Sequence, residues 1–105
     1  MASLSVSPEK LSALSEQLLN PDTPLHQRFR ALFTLKAIGG PEAISTISKG
    51  FSDESALLKH EFAYVLGQMK DHRAIPKLEE VLGDETEDPM VRHEVKLLGI
   101  LVFPC

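Results

Sequence analysis

Apolar residues recur along the chain at helical spacing, and residues that begin or end helices separate these groups. Leu11, Leu14 and Leu18 follow Ser7-Pro8, a pair typical of a helix start, and Asn20-Pro21-Asp22 breaks this helix. The same signals predict five further helices, which begin after Pro24, at Pro41, after Ser55, near Ile75 and at Asp88-Pro89. No segment alternates apolar and polar residues as a strand does, so we predict an all-α protein.

Pairs of these helices repeat along the chain. Residues 31–44 align with residues 62–75, and residues 55–61 align with residues 88–94, where a helix cap, two apolar residues, a base and a His-Glu pair coincide. A period near ~32 residues, made of two helices, is typical of an α-solenoid whose helix pairs bury their apolar faces against neighbouring pairs. We therefore predict a HEAT-like α-solenoid of stacked helical hairpins. Residues 1–105 form one domain of about three helix pairs, the last of them incomplete.

Charge and composition exclude several classes of protein. The chain carries 11 Lys and Arg against 15 Asp and Glu, and this acidic balance argues against binding to nucleic acid or anionic membranes. The longest apolar run, Leu97–Phe103, is too short to span a bilayer, and residues 1–6 lack the features of a signal peptide. Cys105 is the single cysteine, which excludes an intramolecular disulfide. We expect a cytoplasmic protein.

Two His-Glu pairs, His60-Glu61 and His93-Glu94, are the candidate site residues. They occupy equivalent places on equivalent helices, and stacked helices lie roughly 10 Å apart, so their side chains can meet. Imidazole and carboxylate ligands suit iron or manganese. Successive helical residues diverge by about 100°, so we expect His60 and His93 to share one metal while Glu61 and Glu94 point to a second metal or a partner. The alternative is a pair of solvated surface dipeptides kept by duplication.

The bases before the two histidines, Lys59 and Arg92, have two interpretations. They are interpreted as solvated charges, with attraction of an acidic substrate group as the alternative.

Leu25–Glu94 resembles the N-terminal half of the deoxyhypusine hydroxylases. The resemblance covers about two thirds of the chain, and the two His-Glu segments are its most specific part. The matching segments are Arg28–Leu35, Gly39–Pro41, Ser55–Glu61, Tyr64–Gln68, Arg73–Pro76 and Asp88–Glu94.

The resemblance implies a HEAT-repeat di-iron monooxygenase. Such an enzyme uses molecular oxygen to hydroxylate deoxyhypusine on a translation initiation factor, and four His-Glu pairs in two similar halves hold its two irons. Carried over to this chain, the resemblance makes His60 and His93 ligands of one iron. Glu61 would reach the other iron, and Glu94 receives a role in the site.

The chain departs from this family in two respects. It contains two His-Glu pairs rather than four, and residues 95–105 diverge, with Lys96 where the repeat alignment has Ala63. We expect an altered or truncated C-terminus, an incomplete site, weak iron binding and low activity. Self-association through the exposed C-terminal end would bring two half-sites together. The alternative functions are a non-catalytic HEAT-repeat scaffold for protein interaction and a relative of the HEAT-like chromophore lyases.

Overall fold

The computed structural model describes residues 6–102 and the side chains of residues 6–97. Within this range every regular element is helical, which confirms the all-α prediction. Short 3-10 helices span Gly50–Ser52 and His72–Ala74. The α-helices are α1 (Pro8–Leu19), α2 (Leu25–Ile38), α3 (Gly40–Lys49), α4 (Ala56–Met69), α5 (Ile75–Gly83) and α6 (Pro89–Val102).

The helices stack as hairpins. Helix α2 packs against α4, and α4 packs against α6, while α1, α3 and α5 are joined to them as the other members of the hairpins. The described residues span 35 × 34 × 18 Å, and the shortest extent suits two layers of helices about 10 Å apart. This arrangement confirms the predicted HEAT-like α-solenoid. The single domain over residues 1–105 stays a prediction, because residues 1–5 and 103–105, including Cys105, lie outside the described residues.

Side-chain caps fix the starts of three helices where the sequence predicts them. The Ser7 hydroxyl accepts a hydrogen bond from the backbone N–H of Lys10 at the start of α1, 3.2 Å away. The Ser55 hydroxyl caps α4 in the same way, and a carboxylate oxygen of Asp88 accepts from the Met90 N–H at the start of α6. Each cap satisfies a backbone donor that the first helical turn leaves without a partner.

The connections within the three hairpins contain the same turn. In each turn a side-chain oxygen accepts a hydrogen bond from the backbone N–H two residues later, so the side chain takes the part that a backbone carbonyl plays in an ordinary turn. This shared geometry extends the internal repeat over all three hairpins. The oxygen atoms belong to Asn20, Asp53 and Asp84, and the N–H groups belong to Asp22, Ser55 and Thr86, at 2.8–2.9 Å.

The centre of the core depends on the contact of Gly50 with Phe62. Phe62 is fully buried and meets the ring of Phe51 edge-on, with 6.2 Å between ring centres. A Cβ atom added to Gly50 would lie 2.3 Å from the Phe62 ring, closer than any carbon contact allows. The apolar faces predicted for the helices are largely buried, as with Leu32 and Leu58, but Leu25, at the first position of α2, is 45% exposed.

Lys96 differs from its repeat equivalents. Leu32 on α2 and Ala63 on α4 are fully buried in helices that pack against α4 and α6 respectively, whereas Lys96 is exposed on α6. The predicted charge at a packing position therefore lies on a surface that no described helix covers. No helix in the described range has both the length and the apolar character needed to cross a membrane.

Candidate metal centre

Helices α4 and α6 hold the two His-Glu pairs on neighbouring surfaces. Helix α4 buries Leu58 and Phe62, and α6 buries Val91 and Val95. The pairs at residues 60–61 and 93–94 lie between these anchors, so the helical period turns their side chains away from the core. Because α4 packs against α6, the two pairs lie beside each other.

His60 and Glu94 meet directly. The Nε2 atom of His60 lies 2.9 Å from a carboxylate oxygen of Glu94, with the two side chains 36% and 18% exposed. The contact joins the imidazole of the first pair to the carboxylate of the second. This agrees with the argument that the His and Glu of one pair diverge too far to act together.

The other two candidate residues differ in their exposure. His93 is exposed and Glu61 is partly exposed. Among the residues that the structure describes, no three or more His, Cys, Asp or Glu side chains are grouped so that they could hold a metal ion. The sharing of one metal by His60 and His93 stays a prediction, as does the placement of Glu61 and Glu94 at a second metal.

The donor atoms at the contact have the chemistry that iron requires. Imidazole nitrogen and carboxylate oxygen each bind divalent transition metals at about 2.1 Å, and two such ligands at right angles on one ion lie about 3 Å apart. The separation of 2.9 Å between the Nε2 atom of His60 and a carboxylate oxygen of Glu94 is that of a hydrogen bond, and it brings one donor atom of each kind together. The Nε2 atom cannot hold a proton for Glu94 and a metal at the same time, so a metal there would replace this hydrogen bond.

The basic residues beside the two histidines are engaged elsewhere. The Lys59 ammonium forms an ion pair with Glu87, and the two side chains are 14% and 7% exposed, so the interpretation of Lys59 as a solvated charge is wrong. The guanidinium of Arg92 donates to the backbone carbonyl of Leu82. Lys59 therefore binds the connection between α5 and α6, and Arg92 binds the last turn of α5, which leaves the imidazole–carboxylate contact without a neighbouring cation from these two residues.

A row of exposed apolar side chains borders the site, and the sequence reasoning missed it. Phe33, Tyr64 and Leu97 occupy equivalent positions on α2, α4 and α6 and are 41–47% exposed, while Leu57 and Met90 are 58% and 66% exposed. The alignment of residues 31–44 with residues 62–75 pairs Phe33 with Tyr64, and that of residues 55–61 with residues 88–94 pairs Leu57 with Met90, so part of the signal was present in the sequence.

Comparison with known proteins decides the family. A family model described as HEAT repeats matches residues 7–99. This chain belongs to the HEAT-repeat family. The match extends the HEAT-like interpretation, drawn from residues 31–44 and 55–94, to nearly the whole described range.

This HEAT-repeat chain is also similar to the deoxyhypusine hydroxylases. It is 60% identical to the mouse enzyme over 100 residues and 57% identical to the human enzyme. A solved structure of human deoxyhypusine hydroxylase in complex with glycerol matches with a TM-score of 0.83 and 56% identity, over 86% of this chain and 31% of that one. The resemblance inferred from Leu25–Glu94 is therefore confirmed and covers 94% of the chain. The HEAT-repeat chain spans about a third of the length of the curated relatives, 33% for the mouse enzyme.

Proposed function

We propose that this chain provides one half of the iron site of a deoxyhypusine hydroxylase, which acts on deoxyhypusine in a translation initiation factor. The observation that carries the proposal is the contact of His60 with Glu94, which joins the two His-Glu pairs across α4 and α6. The similarity to hydroxylases supports the substrate class. The absence of a membrane-spanning helix among the described residues is compatible with the cytoplasmic location that we propose.

Each residue of the two pairs has a role in this proposal. His60 and His93 bind one iron, and Glu61 reaches toward the second. Glu94 lies 2.9 Å from the Nε2 atom of His60, so it occupies a place in the site beside the iron that would replace this hydrogen bond. Iron, when bound, supplies the redox chemistry that activates molecular oxygen. Leu58 and Val91 anchor the two helices in the core, which keeps the pairs adjacent.

The proposal includes an incomplete ligand set. The chain covers a third of its relatives and carries two of the four pairs that the resemblance implies. The chain alone therefore binds iron weakly and has low activity, since half of the ligands must come from elsewhere. Self-association through the C-terminal end is one way to bring a second set of pairs to the first.

A hydroxylation assay tests the proposal. The chain is incubated with Fe(II), oxygen and the deoxyhypusine-bearing factor, alone and with the part of the mouse enzyme that follows the matched residues. Mass spectrometry measures the gain of one oxygen atom. We expect the mixture to exceed the chain alone by at least about 10-fold, and we expect His60→Ala or His93→Ala to remove that gain. Substitution of the exposed His26, as a control, leaves the gain intact. A mixture whose activity survives His60→Ala contradicts the proposal.

The exposed apolar row favours a second candidate function, a non-catalytic scaffold for protein interaction. Phe33, Tyr64 and Leu97 present large apolar surfaces at repeated positions, as solenoids that bind proteins do. A scaffold requires no metal. Iron at background level in the purified chain, together with unchanged stability of His60→Ala and His93→Ala, would favour the scaffold over the hydroxylase.

A further inference from the structure

Tyr64 differs from its neighbours in the row of exposed apolar side chains by its hydroxyl group. The residues at equivalent positions are Phe33 on α2 and Leu97 on α6, whose side chains have no polar atom. Tyr64 also lies four residues after His60 and three after Glu61 on α4. Side chains at these spacings are neighbours on a helix surface, with about 5–6 Å between their Cβ atoms. The hydroxyl is therefore a polar group beside the first His-Glu pair.

Two residues determine how this hydroxyl forms hydrogen bonds. The Lys36 ammonium on α2 donates to the Oε1 atom of Gln68 at 2.5 Å, and the Nε2 atom of Gln68 donates to the Tyr64 hydroxyl oxygen at 2.9 Å. An ammonium group can only donate, so the Gln68 amide turns its oxygen to Lys36 and its NH2 group to Tyr64. The phenol oxygen must then accept from Gln68, which leaves its own O–H hydrogen for a different acceptor.

The O–H hydrogen of Tyr64 is available on the surface that carries the His-Glu pairs. Among the residues whose side chains the structure describes, none accepts a hydrogen bond from this hydroxyl. The charge of Lys36 polarises the amide between them, and linked hydrogen bonds strengthen one another, so the phenol is a better donor than an isolated one. A long side chain on a helix leans over the preceding turn, as Gln68 leans over Tyr64, and the turn before Tyr64 contains His60.

We propose that Tyr64 donates a hydrogen bond to an oxygen atom of a ligand bound to the metal at the two His-Glu pairs. Gln68 and Lys36 are positioning residues that keep the phenol in the role of donor. The inference rests on the iron site proposed above and assigns the ligand class, because an oxygen atom that binds a metal through one lone pair can accept from the phenol through another. A purely structural role is a poor alternative, since Gln68 and Tyr64 are exposed and a hydrogen bond of this kind adds about 1 kcal/mol to stability.

Binding of acetate to the cobalt-loaded chain tests this proposal. Co(II) uses the same nitrogen and oxygen ligands as Fe(II) and binds them more tightly, and its visible absorption responds to a coordinated carboxylate. Each protein is saturated with Co(II) and titrated with acetate, as the parent chain, Tyr64→Phe, Gln68→Glu and the double variant. Thermal unfolding checks that each variant folds. Co(II) binding by His60→Ala and His93→Ala tests the proposed iron site separately.

We expect Tyr64→Phe to weaken acetate binding about 5-fold while the affinity for Co(II) stays within about 2-fold, because one hydrogen bond is lost and no metal ligand is removed. Gln68→Glu keeps the shape of the side chain but offers the phenol a carboxylate, so it should weaken acetate binding as much. The double variant should lose no more than Tyr64→Phe alone. Lys36→Ala frees the amide to accept from the phenol, and it should weaken acetate binding more than the control Lys49→Ala, which removes an exposed charge on α3.

Three results would overturn the inference, and they differ in what else they contradict. Equal acetate affinity in the cobalt-loaded parent and Tyr64→Phe would remove the role of Tyr64 and leave the iron site intact. An effect of Gln68→Glu that persists in the Tyr64→Phe background would show repulsion between the added charge and acetate, and would remove the role of Gln68. Co(II) binding that survives both His60→Ala and His93→Ala would contradict the proposed iron site and this inference with it.

Discussion

The imidazole of His60 and the carboxylate of Glu94 meet across two helices, with 2.9 Å between Nε2 and the carboxylate oxygen. The two residues are 34 positions apart and lie on different helices, so their contact depends on the packing of α4 against α6 rather than on local sequence. Because His60 is 36% exposed, this contact adds little to folding and remains available for exchange with a metal.

Replacement of the carboxylate tests whether this contact is structural. We expect Glu94→Gln to change the free energy of unfolding of the metal-free chain by less than about 1 kcal/mol, because partly exposed pairs contribute little. Urea denaturation at neutral pH measures the change. A loss above about 3 kcal/mol, the range for buried ion pairs, would show that the contact exists to hold the fold together.

The ion pair of Arg28 with Asp53 is expected to contribute much more. Arg28 is 5% exposed, so Asp53→Asn leaves a buried guanidinium without its counter-charge and should cost about 3 kcal/mol at pH 7. The asparagine keeps the side-chain oxygen that accepts from the Ser55 N–H, so the substitution isolates the charge. Urea denaturation measures the loss. Asp71→Asn, in an exposed pair with Arg73, is the control and should change little.

The same ion pair predicts a dependence on pH. Burial raises the pKa of Asp53, but the Arg28 hydrogen bond, the Ser55 N–H and the charges of Arg28 and Lys59 together hold it below 3.8. A carboxyl whose pKa is lower in the folded state stabilises the fold above the unfolded value, and this contribution fades as pH falls through the folded value. The stability difference between the parent chain and Asp53→Asn should therefore be constant above about pH 5 and shrink below 3.8. A difference that grows on acidification would contradict this assignment.

Gly50→Ala tests the packing at the centre of the core. The added methyl group would lie 2.3 Å from the Phe62 ring, so the ring or the backbone must move, at a cost of about 1–3 kcal/mol. Gly83→Ala is the matched control, because a Cβ atom there meets nothing within 4 Å. We expect the control to change stability by less than about 0.5 kcal/mol. Equal melting temperatures for the two variants would show that Phe62 yields without strain.

Local sequence signals were sufficient to predict the helices and the repeat. The caps at Ser7 and Ser55 and the proline at the start of α6 act within one helical turn, so they can be read without knowledge of the fold. The repeat alignment then placed the two His-Glu pairs on neighbouring helices, and the packing of α4 on α6 agrees with that placement.

The contacts between hairpins could not be predicted in this way. Which imidazole meets which carboxylate depends on the position of α6 along the axis of α4. The repeat spacing does not determine that position, so it could not predict the contact of His60 with Glu94. The burial of Arg28 and Lys59 depends on hairpin connections that are distant in the sequence, 25 and 28 residues away. Lys59 was therefore interpreted as a solvated charge, although the fold places Glu87 beside it.

Anaerobic titration of the chain with Fe(II) tests the central claim most directly. Calorimetry gives the affinity of the parent chain, of His60→Ala and His93→Ala, and of His26→Ala as the control with an exposed histidine outside the two pairs. If the pairs form half of an iron site, each of the first two variants weakens binding by at least about 10-fold and the control binds as the parent does. Equal affinity in all four proteins would contradict the assignment of an iron site to α4 and α6.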